Sequence, residues 1–148
     1  MGLKEQINED IKSAMRAKER EKLEALRAVK AAIIVAETEK AGVVLDEAAG
    51  AKIIQKLFKQ RKDAAALYVE QGRQDLADVE LAQASVIEAY LPKQLTTEEL
   101  ETAVQAIIAS TGATSMKDMG KVMGIASKQL AGKADGSVIS KIVKQLLA

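Results

Sequence analysis

The residues best placed to do chemistry lie in the last third of the chain, and the chemistry they suit is the binding of an anion. From Ser115 to Leu147 the sequence reads SMKDMGKVMGIASKQLAGKADGSVISKIVKQLL. On a helix, Lys117, Lys121, Gly124 and Lys128 fall at offsets 0, +4, +7 and +11, with Gly120 beside them. A glycine inside a helix costs about 1 kcal/mol relative to alanine, so two on one face need a reason. A bare backbone lets a partner approach closely, and the neighbouring ammonium groups favour an anionic one such as a phosphate backbone. Close packing of another helix is the competing reason. Further on, Ser137, Ser140, Lys141 and Lys144 fall at 0, +3, +4 and +7, opposite a wide apolar face of Val138, Ile139, Ile142, Val143, Leu146 and Leu147.

Covalent chemistry has little to work with. The chain has no histidine and no cysteine, which removes the usual general base, the usual activated nucleophiles and thiolate metal sites. Gly132-Lys133 suggests a phosphate loop, but that motif needs glycine where Ser127 stands and Ser or Thr where Ala134 stands. A helix end followed by a turn explains the pair. The carboxylates Glu9/Asp10, Glu19/Glu21 and Glu98/Glu99/Glu101 read as solvated helix faces rather than acid–base or metal pairs. The basic turn Lys56–Lys62 reads as a solvent face beside Asp63. The expectation is therefore no catalytic residue, no metal and no cofactor.

Composition bounds the fold that carries these groups. The chain has 148 residues, 48% of them apolar, and only three aromatics, Phe58, Tyr68 and Tyr90. A core built from Leu, Ile, Val, Ala and Met suits packed helices. Charge is uneven along the chain. Residues 1–90 hold 15 Lys/Arg against 16 Asp/Glu, whereas residues 111–148 hold six lysines against Asp118 and Asp135, a net of +4. That local excess supports a modest electrostatic footprint. No apolar run approaches the roughly 20 residues of a membrane span, and MGLKEQINED is charged and amphipathic, unlike a secretory leader. A cytoplasmic protein that binds no membrane is expected.

The apolar periodicity predicts seven helices and no strand. Leu3, Ile7, Ile11 and Met15 mark the first, and Leu23, Leu26, Val29, Ile33 and Ala36 the second, which Gly42 stops. Asp46 caps the third, whose buried side is Ile53, Ile54, Leu57, Phe58, Ala65 and Tyr68 and which ends at Gly72. Asp75 caps the fourth, carried by Leu76, Val79, Val86, Ile87 and Tyr90. Pro92, the only proline, removes a backbone donor and biases Leu91 away from the helical region. This places a boundary there: an antiparallel helical domain over 1–91, a hinge at 92–95 and a small three-helix domain over 96–148. Thr96 or Thr97 caps the fifth helix and Gly112 ends it, Ser115 caps the sixth, and Asp135 or Ser137 caps the seventh.

These residues carry a family resemblance. KQRKDAA (Lys59–Ala65), DLA (Asp75–Ala77), AYLPKQLT (Ala89–Thr96) and above all DMGKVMG with GKADGSVISKIVKQLL resemble the GatB/YqeY family, in its short stand-alone YqeY-like branch. The resemblance covers essentially the whole chain. GatB is the subunit of glutamine-dependent aminoacyl-tRNA amidotransferase that activates and amidates tRNA-bound Glu or Asp, and the chain resembles only its helical and tail region. The cradle that holds GatB's metal and ATP has no counterpart here, and the glutaminase belongs to another subunit.

The resemblance implies that the tail grips the tRNA elbow through Lys121, Gly124, Lys133, Ala134, Asp135, Gly136 and Lys141. The residues themselves agree at Lys121, Gly124 and Lys141 and are silent on Ala134. The combined candidate set for tRNA binding is Lys117, Gly120, Lys121, Gly124, Lys128, Lys133, Asp135, Gly136, Lys141 and Lys144. The expected function is a non-catalytic tRNA-binding accessory module related to the amidotransferase, with no DNA partner. Two alternatives stand beside it. One is a helical adaptor for a protein of the amidotransferase or the translation machinery. The other is the carbon–nitrogen ligase activity with glutamine as amido donor that the family label carries, exercised only with other subunits.

Overall fold

The structure, a computed structural model, describes residues 2–39 and 45–148. Among them every regular element is helical: α1 (Leu3–Ala17), α2 (Arg20–Glu39), α3 (Glu47–Glu70), α4 (Gln74–Glu88), α5 (Thr97–Thr111), one 3-10 turn (Met116–Asp118), α6 (Met119–Gln129) and α7 (Gly136–Leu147). The all-α class expected from the apolar spacing is the one that forms. Gly42 lies outside the described residues. The chain divides into two compact units, Met1–Leu91 and Pro92–Ala148.

In the first unit α1 starts where the Glu5 carboxylate accepts the Gly2 N–H at 2.6 Å. It ends on Lys18, the one non-glycine residue at positive φ among those described (φ 57°). There Glu19 N–H donates to the Ala14 carbonyl and Lys18 N–H to that of Met15, the paired bonds of a Schellman end. Gly72 (φ 73°) ends α3 in the same way. Asp46 caps α3, accepting from Ala49 N at 2.7 Å. The core joins Ile7, Ala14, Leu26, Val29, Ile33, Ile54 and Ile87, with Leu3, Leu57, Phe58 and Tyr90 packed on it. The Tyr90 hydroxyl donates to Asp10, which also accepts from Gln6.

Three expectations for this unit are corrected. Met15 is 55% exposed, and Ala14 takes its place in the core. A strict four-residue step overruns the helical turn by about 40°, so by Met15 the stripe has rotated about 120° away, whereas Ala14 returns to within about 20° of Leu3. Val79 is exposed for a similar reason, lying about 200° around α4 from buried Ala77. Asp75 does not cap α4. It lies in the first turn, where the Arg73 guanidinium donates to both its oxygens at 3.1 and 3.0 Å, and that fork lowers its pKa.

The second unit has a core of Leu100, Val104, Ile107, Val122, Ala126, Leu130, Ala134, Ile139, Ile142, Val143 and Leu147. α5 opens with a full capping box: Thr96 Oγ1 accepts from Glu99 N at 3.1 Å, and Glu99 accepts from Thr96 N at 3.2 Å. The bond from the Thr96 N–H, foremost, lowers the pKa of the Glu99 carboxyl. Gly112 (φ 71°) ends α5. Val138, expected in the core, is 43% exposed at the edge of the α7 apolar face.

Candidate nucleic-acid interface

The candidate residues sit on four consecutive pieces of the second unit: the 3-10 turn, α6, the turn that follows it, and α7 itself, which carries Gly136, Lys141 and Lys144. Lys117 belongs to the 3-10 turn and not to α6. The strict helical stripe is therefore Lys121, Gly124 and Lys128 at 0, +3 and +7. Ser115 precedes the 3-10 turn without a side-chain cap. Asp118 stands at the start of α6 but accepts from Thr114 N at 3.1 Å instead of from the helix. The opposite side of α6 anchors it, with Val122 and Ala126 fully buried and Leu130 nearly so, and with Met119 and Met123 packed against the same core.

Neither glycine of α6 packs against another part of the second unit. Gly120 and Gly124 are exposed, and a Cβ built on either would meet no atom within 4 Å. No neighbouring helix of this chain needs the missing side chains among the described residues. The helix accepts interior glycine at Gly124 with no internal packing in return. Gly136, in the first turn of α7, is open in the same sense.

The GKADG turn is fixed from behind. Gly132 is buried at φ 75°. Its carbonyl accepts from Gln94 Nε2 at 2.6 Å, and the Lys133 carbonyl accepts from Leu95 N at 3.0 Å. Ala134 is 9% exposed and part of the core, which gives the one apolar side chain of the turn a packing role. Asp135 caps α7, accepting from Ser137 N at 2.9 Å and Ser137 Oγ at 3.0 Å. With the backbone held this way, the Lys133 side chain faces solvent.

Lys117, Lys121, Lys128, Lys133, Lys141 and Lys144 are all exposed. Among the described residues none of their ammonium groups is in an ion pair. An exposed, unpaired lysine keeps its full charge for a partner and gives up little hydration until one arrives. Two exposed apolar residues share the region. Met116 is 45% exposed next to Lys117, and Val138 stands three residues before Lys141. The spacing of the α7 apolar stripe predicts Val138 in the core, Met116 belongs to no stripe, and both lie exposed.

Comparison with known proteins gives two kinds of match. The profile of the family described as Yqey-like protein matches residues 4–147. A protein of Meyerozyma guilliermondii called altered inheritance of mitochondria protein 41, mitochondrial, is 41% identical over 85 residues, 57% of this chain and 44% of that protein. A protein of the same name from Pyrenophora tritici-repentis is 29% identical over 143 residues, 95% of this chain and 78% of that protein. The match thus spans less than half the length of the first relative and about three quarters of the second.

Proposed function

The chain belongs to the YqeY-like family, and from that premise we propose that it is a non-catalytic tRNA-binding accessory module whose contact surface is the exposed face of α6 with the GKADG turn and the lysines of α7. The observation that carries this reading is the open backbone at Gly120 and Gly124 beside unpaired lysines. A helix that accepts glycine where nothing of its own fills the gap is suited to a close visitor, and the six ammonium groups make that visitor anionic. The role fits a rigid polyanion such as folded RNA, whose ribose–phosphate backbone can lie against peptide groups where a side chain would hold it off. Lys121, Lys128, Lys133 and Lys141 supply phosphate contacts, and Asp135 and Gln94 hold the turn that presents Lys133. The chain has no histidine or cysteine and no glycine- and serine-rich segment of the kind that carries the nucleophile of serine–lysine amidases, so amide transfer from glutamine would draw on groups from another subunit.

A salt titration against tRNA tests the reading. If about four lysines each meet a phosphate, affinity falls about 10²-fold between 50 and 200 mM salt. Lys121→Ala then weakens binding and flattens the slope of log K against log salt by about one. Binding that ignores salt, or none at 50 mM, overturns it. Ammonia release from glutamine by the pure chain would instead favour catalysis.

A further inference from the structure

A concave surface lies in the first unit, where α1 turns into α2. It is a cleft of about 570 Å³ lined by Ala14, Met15 and Lys18 on one side and Arg20, Leu23, Glu24 and Arg27 on the other. The α2 residues stand at 0, +3, +4 and +7, so they share one face. Arg20 and Arg27 are two turns apart, about 10.5 Å along the axis, with Leu23 and Glu24 between them. Met15, 55% exposed, adds an apolar wall opposite. Among the described residues Lys18, Arg20, Glu24 and Arg27 make no ion pair. The surface therefore reads cation, apolar group and acid, cation, at helical spacing, beside the exposed Met15 side chain.

We propose that this cleft docks about two turns of an acidic amphipathic helix from a partner protein. The helix carries carboxylates seven residues apart, which meet Arg20 and Arg27, and an apolar residue between them, which rests on Met15 and Leu23. A facing helix reproduces the two-turn separation of the arginines by its own rise, which is the helix-in-groove mode of recognition. Glu24 selects against a compact polyanion: a phosphate cluster centred in the cleft would face its unpaired carboxylate, whereas a helix can set a lysine there. The same carboxylate disfavours a nucleic-acid backbone, which is negative throughout. This inference does not depend on the RNA reading of the second unit.

The test uses the full chain and two synthetic helical peptides followed by fluorescence anisotropy. One has glutamate at i and i+7, leucine at i+3 and lysine at i+4; the other exchanges the charge signs. The acidic peptide should bind about five- to tenfold more tightly than its reverse, and the double variant R20E/R27E should invert that order. Met15→Glu, at an already exposed position, should weaken both peptides and serves if the double variant folds poorly. Equal affinity for the two peptides, or an order unchanged in R20E/R27E, overturns the proposal. So does binding of inorganic phosphate or AMP that depends on Arg20 and Arg27 while the acidic peptide fails. A loss of tRNA affinity in R20E/R27E as large as that of Lys121→Ala would assign the cleft to RNA and overturn it as well.

Discussion

Gly124 separates a structural role from a binding role because the two predict opposite signs. Its Cβ would meet nothing within 4 Å, so Gly124→Ala should stabilise α6 by about 1 kcal/mol through helix propensity alone. Thermal unfolding should show a melting temperature raised by a few degrees, while affinity for tRNA falls. A lowered melting temperature would mean that the glycine serves packing after all. Tyr90 gives a second test at this scale. Burial, the hydrogen bond to Asp10 and the charge of that carboxylate push its hydroxyl well above the ordinary value of 10.0. The folded state thus holds the proton more tightly than the unfolded state. Its contribution is complete below pH 10 and is lost as pH rises from there toward the raised folded value. Wild-type stability should fall above pH 10 more steeply than that of Tyr90→Phe, measured by denaturant midpoints across an alkaline series. Parallel pH profiles would remove Tyr90 as the cause.

Helix ends show how much the chain announces about its own elements. Asp46, Thr96 and Asp135 cap α3, α5 and α7 through their own side chains, and Gly72, Gly112 and Gly132 adopt positive φ at the stops read from sequence. These are local choices, made by one side chain and the backbone next to it, and so they are visible in a line of letters. What the letters hide is rotation about the helix axis and the competition for polar groups. Met15, Val79 and Val138 are apolar yet lie outside the cores because small phase differences decide which face turns inward. Asp75 is drawn to Arg73, and the 3-10 turn shifts Lys117 off the helix that carries Lys121. The glycines and lysines of the candidate site were legible by spacing, but the emptiness around Gly120 and Gly124 is set by tertiary packing, which spacing does not carry. Lys18 is the end that breaks the pattern, a β-carbon in the left-handed region where such a residue costs about 1–2 kcal/mol. Lys18→Gly should raise stability by about 0.5–1 kcal/mol once the greater freedom of glycine in the unfolded chain is counted. Calorimetry showing a lowered melting temperature would count against strain at that position.

At the scale of the whole chain, the described residues form two core clusters, one within each unit, and the basic excess of the sequence is confined to the carboxyl-terminal part. A fragment spanning residues 92–148 should therefore fold alone and keep most of the tRNA affinity and salt slope of the full chain, and residues 1–91 alone should keep neither. Circular dichroism and the same titration check both statements. A fragment 92–148 that is unfolded, or folded but indifferent to tRNA, would show that the first unit contributes to one or the other.

The bond from the Leu95 amide to the Lys133 carbonyl lies outside every helix, and this gives it a use as a reporter. Amide deuteration at Leu95 should be slow for a residue in an irregular segment, because its exchange requires the GKADG turn to let go. RNA pressing on Lys133 would slow that exchange further without touching Leu95 itself, so a single isotope-labelled site can register docking on the far side of the turn.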